Sequence, residues 1–401
     1  MECSKVLSIS TVYPRPGEEN LGVFIKSRLR HVSELMPVKV VSPVPVIDYA
    51  ANGHRPSSIP HGRQDGNVEV FYPRWIYPPQ GGFLNSWFLA ARLFPFIRNL
   101  RDRYEFDIID SHFGHPVGVA AGLVAAALKC PYTITLRGNE TMHARAAGRR
   151  RWMSWAFRRA ARIITVSESL RQFAISLGVD PARARTIPNG IDSDLFYPRP
   201  YAETRARLRM PADRPVILSA GYLIERKGHH RIVRALAEVR ANGIRAELWI
   251  VGAPGREGQF ERQLHETVRE CGLGDAVHFT GAVKPETLAE YMSASDLFCL
   301  ASSREGWPNV VHEAMGCGAP IVATNVGGIP DMLPSTEYGI TVPPDDQPSL
   351  ARALSDALRK PWDRERIAAW GRARSWKQVA AETASVLTEA AGTRPQRTAR
   401  K

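Results

Sequence analysis

The densest grouping of chemistry-bearing residues is Glu305-Gly-Trp-Pro-Asn-Val-Val-His-Glu313, two carboxylates with seven residues between them. Pro308 suits the start of a helix, where its missing N–H is not needed. The helix then opens with the amides of Asn309, Val310 and Val311 unpaired, and such an N-terminus attracts phosphate. Glu305, in the loop before it, can accept bonds from sugar hydroxyls. Glu313, about one turn in, can face the same side and hold a diol such as a ribose. Paired surface glutamates usually do nothing of the kind. Here the loop position, the Pro start and the following Gly316-Cys-Gly318 argue for a site. A second grouping, Gly221-Tyr-Leu-Ile-Glu-Arg226-Lys227-Gly228, sets two adjacent cations between a strand and a helix. Cations opposite a row of amides are what a diphosphate needs. Two weaker signals lie in the first half. His112 ends the apolar run Asp107-Ile-Ile-Asp-Ser-His112, and a lone histidine is most often structural. The loop 16–22 ends in Gly22, which would let backbone approach a phosphate.

These residues fall just after short apolar segments that alternate with amphipathic ones. Strands are expected at 6–10, 38–42, 107–110, 132–136 and 162–166, then at 216–220, 247–251, 277–280, 296–301 and 320–323. Helices are expected at 23–35, 116–128 and 167–177, then at 228–240, 259–271, 285–292 and 309–315. The Pro-rich stretch 44–66 reads as a long loop, and Tyr197-Pro-Arg-Pro200 as a linker. Strands alternating with helices imply βαβ units and parallel sheets. The fold expected is therefore α/β: two Rossmann-like, doubly wound domains facing each other. The first is 1–195 and the second 200–373, with a helix at about 374–390 packing back on the first. Ligands of open α/β sheets sit at the carboxyl ends of strands, so the cleft between the domains is the expected site.

Composition narrows the partners. The formal charge is +13, and residues 1–190 alone carry 25 basic against 14 acidic side chains. A basic half joined to a near-neutral one suggests an anionic partner: nucleic acid, a membrane surface or a phosphorylated substrate. No apolar run is long enough to span a bilayer, and the start lacks the features of a secretory signal, so a cytoplasmic chain is expected. The five cysteines are odd in number, widely spaced and without a C-x-x-C, which disfavours disulfide and metal frameworks. No G-x-G-x-x-G follows the first strand, which argues against NAD. Asp192-Ser-Asp194 matches an Asp-x-Asp metal motif by letter alone, and no essential metal is expected.

Taken together, these stretches resemble glycosyltransferase family 4, the retaining nucleotide-sugar transferases of the GT-B fold. The resemblance rests on the Glu305/Glu313 pair and on Gly221 with Arg226-Lys227-Gly228. It also rests on Arg162-Ile-Ile-Thr-Val166 leading into Ser167-Glu-Ser169, on Pro188-Asn-Gly-Ile-Asp192, and on Val322-Ala-Thr-Asn-Val-Gly-Gly-Ile-Pro-Asp331. It implies that Lys227 and Arg226 bind the donor diphosphate and that Glu305 holds donor-sugar hydroxyls. Asn309, Val310 and Val311 would lend amides, Glu313 would hold the ribose, and the base would sit near Val283. His112 matches a histidine near the transferred sugar, and Gly22 a glycine loop of the first domain. Two residues depart from the pattern. Tyr222 stands where the family often has Arg, so Arg226 would substitute for that cation. Arg137-Gly138 stands where it often has His-Gly.

The resemblance implies a UDP- or GDP-sugar as donor and a glycan or lipid-linked acceptor. A cell-surface polysaccharide or glycolipid would be the product. A sugar-nucleotide epimerase of similar fold and a non-catalytic basic nucleic-acid-binding module are the alternatives, and nucleic acid is not the expected partner. The aromatics Trp75, Tyr77, Phe83, Trp87, Phe88, Phe94 and Phe96, with Trp152, Trp155, Arg158 and Arg159, suggest in addition a peripheral contact with an anionic membrane.

Overall fold

The computed structural model describes residues 4–78, 81–255 and 259–393. Residues 1–3, on which the reading of the chain start and one cysteine depend, lie outside the described residues. By internal contacts the chain divides into two units: Met1–Gly190 with the stretch from Trp376 onward, and Ile191–Ser375.

The first unit contains β1 (Val6–Ile9), β2 (Val38–Val41), β3 (Val44–Pro45), β4 (Gly62–Asp65), β5 (Val68–Phe71), β6 (Arg74–Trp75), β7 (Ile108–His112), β8 (Tyr132–Leu136), β9 (Arg162–Thr165) and β10 (Ala184–Thr186). Eight of them form one sheet in the order β10-β9-β8-β7-β1-β2-β5-β4, while β3 pairs with β6 apart from it. Every pairing in the large sheet is parallel except β4 with β5. β1, β7 and β8 are buried along their whole length, as strands covered on both faces must be. Part of that cover comes from the far end of the chain. The helix Trp376–Ala391 lays Ala380, Leu387 and Ala390 against Ile25 and Leu29 of the helix Val23–Val32, and Val379 and Val386 against Ile164 and Ile187.

The second unit contains β11 (Val216–Ala220), β12 (Glu247–Val251), β13 (Val277–Gly281), β14 (Leu297–Leu300), β15 (Ile321–Thr324) and β16 (Gly339–Val342). They form an all-parallel sheet in the order β13-β12-β11-β14-β15-β16. Side chains alternate across it. Ile217 points to a core built with the helices His229–Ala241, Gln259–Glu270 and Gln347–Arg359. Val216 and Leu218 point to another, built with Pro285–Ala294, Asn309–Gly316 and Arg364–Arg372.

Both sheets reverse their winding once, between β1 and β7 in the first and between β11 and β14 in the second. Such switch points leave a crevice beyond the carboxyl ends of the two central strands. The candidate residues fall there: Gly22 after β1, His112 at the end of β7, Arg226 and Lys227 after β11, Glu305 after β14.

Two sequence expectations need correction. The stretch 44–66 is not one loop: it holds β3, the helix Val46–Ala51, a short 3-10 turn and the whole of β4. The helix drives Tyr49 into the core, and β4 is an edge strand of sequence Gly-Arg-Gln-Asp with no apolar alternation to betray it. In addition, Ile191 and Phe196 pack in the core of the second unit, so the chain enters that unit before residues 191–196 and not after them.

Because Leu387 is fully buried in the first unit's core, Leu387→Ala should destabilise that unit by about 2–5 kcal/mol. The check is urea unfolding with probes in each unit. The midpoint reported from the first should fall while the second is unmoved.

Candidate functional site

In the second unit the structure brings together two loops that lie far apart in sequence. Lys227 Nζ donates to Glu305 Oε1 at 2.7 Å, Ser302 Oγ donates to the same oxygen at 2.8 Å, and Arg226 Nη1 lies 3.1 Å from it. The Glu305 side chain is only 8% exposed. Burial alone would raise its carboxyl, but Lys227 and Arg226, with the bonds from Lys227 and Ser302, outweigh it and hold the group below the usual carboxylate range. The three donors meet on Oε1, which leaves Oε2 open to a further donor.

The backbone holds these two loops against each other. Ser303 N donates to Arg226 O at 2.9 Å, and Arg226 Nη1 to Arg304 O at 2.9 Å. Arg231 Nη1 donates to Ala301 O at 3.2 Å. The approach requires Gly228, whose φ is +74° and where a Cβ would come within 1.9 Å of Ala301 O. From the other side, Thr324 Oγ1 donates to Ser302 O at 2.6 Å.

Pro308 caps the helix Asn309–Gly316. Its opening turn differs from the sequence expectation. The Val311 amide already donates to Pro308 O at 2.9 Å and is not available to a ligand, because the turn is tightened to an i, i−3 bond. Val310 N has no such acceptor among the described residues, and Asn309 is itself engaged by the protein. One turn on, the half-buried Glu313 has no hydrogen bond or ion pair to its carboxylate among the described residues. Burial pushes its pKa up to about 7, against a smaller pull from Lys227. An unpaired carboxylate held this way is matched to a pair of hydroxyls. Val283, just past β13, is half-buried with its side chain packed partly on the core.

In the first unit His112 is fully buried. Its Nδ1 accepts from Arg137, with Nη2 at 3.1 Å and Nε at 3.3 Å. A guanidinium only donates, so the ring proton sits on Nε2, which faces Asp110 Oδ2 at 3.2 Å and Ser8 Oγ at 3.1 Å. Burial drives the ring's pKa down to about 4, against the pull of Asp110, and Arg137 and Arg28 add to the lowering. Arg137 Nη1 and Arg28 Nη2 both reach Asn189 Oδ1, at 3.3 Å and 3.4 Å. Glu140 accepts the amides of Gly114, Arg137 and Gly138. With both ring nitrogens held inside the unit, His112 is a fixed, neutral member of a buried network, not a side chain offered to a ligand. Gly22 also has an internal reason. At φ +68° its missing Cβ would stand 2.3 Å from Val12 O, so the turn needs glycine whether or not a phosphate binds.

Asp110, Arg137, Arg28 and Glu140 were not among the expected site residues. Arg28 was detectable: it sits in the buried stripe of its helix beside Ile25, Leu29 and Val32. Among the described residues no group of three or more His, Cys, Asp or Glu side chains is placed to hold a metal ion, and no helix is long and apolar enough to cross a membrane.

The fold and the placement of these residues define a two-unit Rossmann-like protein of GT-B architecture. A model of the family "Glycosyl transferases group 1" matches residues 201–374, and one of "Glycosyltransferase Family 4" matches residues 48–195. The chain belongs to the group 1/family 4 glycosyltransferases. A D-inositol 3-phosphate glycosyltransferase of Geodermatophilus obscurus is 30% identical over 57% of this chain and 52% of its own, so the chain spans about half the length of that curated relative. A putative teichuronic acid biosynthesis glycosyltransferase of Bacillus subtilis is 25% identical over 90% of both chains. In fold, the chain is similar to Anabaena HepE, solved in complex with UDP: TM-score 0.73 and 21% identity, covering 96% of this chain and 99% of that one.

Glu313 gives a stability prediction with a definite sign. Its folded pKa of about 7 lies above the ordinary 4.5, so stability is full below about 4.5 and falls as pH rises through 7. Glu313→Gln removes that cost. Urea midpoints of the second unit should show the variant gaining more over the parent at about pH 8 than at about pH 5. An equal difference at both would mean the carboxyl is ordinary.

Proposed function

We propose that this protein is a retaining glycosyltransferase that moves a sugar from a UDP- or GDP-sugar to a glycan or lipid-linked acceptor, in the synthesis of a cell-surface polysaccharide or glycolipid. The observation that carries the reading is the sharing of Glu305 by Lys227 and Arg226 at the switch point of the second sheet. Family membership supports a nucleotide-sugar donor. The name of the Bacillus subtilis relative, matched along nearly all of both chains, supports a cell-surface polymer.

The geometry suits the chemistry. A sugar leaving its nucleoside diphosphate builds negative charge on the diphosphate and positive charge on the ring. Lys227 and Arg226 are fixed before the donor arrives, so they stabilise the leaving group without reorganising. Glu305 neutralises them in the meantime and, through Oε2, can take a sugar hydroxyl. The Val310 amide meets a phosphate oxygen, Glu313 takes the ribose diol, and the peptide groups at Val283 meet the base. Arg226 occupies the role of the cation that Tyr222 displaces. For retention, the acceptor hydroxyl attacks on the face from which the diphosphate departs, and a donor phosphate oxygen takes its proton. His112 acts as a positioning residue, through Arg137 and Asp110.

The test is a screen of UDP- and GDP-sugars for nucleoside diphosphate release, with and without acceptor fractions. Release that depends on acceptor fits transfer, whereas product formed from donor alone would favour the epimerase. Lys227→Ala should lower kcat/KM by on the order of a hundredfold, and an unchanged value would remove Lys227 from the diphosphate. Activity should also survive chelation, since the two cations carry the charge that a metal otherwise supplies. Loss in EDTA with recovery on Mg²⁺ or Mn²⁺ would reverse that reading.

A further inference from the structure

The helix Asn85–Arg103 already has an apolar stripe of the ordinary kind: Leu89, Ala90, Leu93, Ile97 and Leu100 are buried in the first unit. At its start, however, the solvent side is apolar too. Leu84, Trp87 and Phe88 are 45%, 43% and 44% exposed, and Phe83 just before them is 42% exposed. These side chains are surplus to the core, and they are contiguous. Trp87 meets Trp152 edge to face with ring centres 5.0 Å apart, and Trp152 meets Trp155 at 5.6 Å. Beside them lies a cavity of about 400 Å³ lined by Phe83, Gly148, Arg151, Trp152 and Trp155.

The two stretches of chain that supply these side chains carry charge of one sign. The sequence holds no Asp or Glu between Glu69 and Asp102, and none between Glu140 and Glu168. Within those stretches lie Arg92 and Arg98 on the first helix, then Arg145 just before the helix Ala147–Arg159 and Arg149 to Arg151 near its start. Arg92, Arg145, Arg150 and Arg151 are exposed. Stretches of chain that bring exposed aromatics and arginines without a carboxylate, with Arg151 lining the cavity beside Trp152 and Trp155, complement the interfacial layer of an anionic membrane, where rings lie at headgroup depth and guanidinium groups meet phosphates. Single-stranded nucleic acid fits less well, because Trp87, Trp152 and Trp155 pack edge to face and do not open a row of parallel ring faces.

The sequence expectation draws the interface more widely, from Trp75 through Phe96 and over Trp152, Trp155, Arg158 and Arg159. Trp75 is buried in the core, and Met153, Ala156 and Phe157 fix the second helix to the unit. The surface that remains is smaller and centred on Trp87 and Phe88.

We propose that this corner of the first unit is a docking surface for an anionic bilayer. Leu84, Trp87 and Phe88 enter the interfacial layer, the cavity beneath Phe83 takes the end of an acyl chain, and Arg145, Arg150 and Arg151 meet lipid phosphates. The contact is peripheral.

The test is flotation of the full chain with vesicles of phosphatidylcholine alone and of phosphatidylcholine mixed with phosphatidylglycerol. Quenching by brominated acyl chains is read in parallel. Binding should require the anionic lipid, weaken with salt, and be accompanied by quenching. Trp87→Ala/Phe88→Ala should lower binding about tenfold or more and reduce the quenching. Arg150→Ala/Arg151→Ala should lower binding by on the order of tenfold. These side chains are at the surface, so thermal melting and nucleoside diphosphate binding should match the parent. If the aromatic variant nonetheless unfolds, the arginine variant and the quenching still decide. No flotation at low salt, full flotation by both variants, or flotation without quenching would each overturn the proposal. So would tight RNA binding or self-association at this surface in place of vesicle binding. None of these readouts involves turnover, so failure here leaves the transferase proposal standing, and a failed donor screen leaves this one standing.

Discussion

The second unit's site depends on one buried carboxylate. Glu305 is removed from water, which alone would favour its neutral form, and it remains anionic because two cations close on a single oxygen. The converse also holds, since Lys227 is itself largely buried and would be costly to leave unpaired. The ligand-free arrangement is thus neutral enough to be stable while keeping its positive charges in fixed positions. In the proposed function a diphosphate meets cations that are already in place. That is how a site can be complementary to developing negative charge and still fold without it.

Everything nearby serves to make that contact possible. Residues 227 and 305 are distant in sequence, and they meet because β11 and β14 are neighbours at the point where the sheet reverses. Gly228 lets the first loop press on Ala301, and the Arg226 guanidinium ties it to the carbonyl of Arg304. The first unit solves a similar problem at the switch point between β1 and β7. Two guanidinium groups, Arg28 and Arg137, share Asn189, while Asp110 and Glu140 supply the opposing charge among buried strand ends. Such a network is costly to disturb, because every member that loses its partner is left unpaired away from water.

Much of this was legible in the sequence because it is written in short apolar runs and in the residues that follow them. β11 and β12 fall where alternation put them, and Pro308 marks the start of its helix as expected. What could not be read is the side-chain pairing across elements. No local pattern says that Lys227 will close on Glu305, or that Arg137 will hold His112, since both contacts are set by sheet order. Strand β4 was missed because an edge strand needs no apolar alternation. The amide of Val311 was misassigned because a helix end can tighten by one residue and consume a donor that an ideal helix would leave free.

The two glutamates that open the sequence argument end in opposite electrostatic states. Glu305 is held below the ordinary carboxylate range by neighbouring cations, and Glu313 is pushed up to about 7 by burial without a partner. They sit on one loop and the helix it leads into, so the difference arises from what surrounds each and not from chemical type. A carboxylate already satisfied on one oxygen can bind a hydroxyl without changing its own charge state. A carboxylate left unsatisfied gains much more from the same bond, because the ligand replaces the water it has lost. The pair therefore divides the work by environment. Glu305 is already paired with its cations, and Glu313 carries an unmet hydrogen-bonding demand, which in the proposed function is the part a ribose diol would fill.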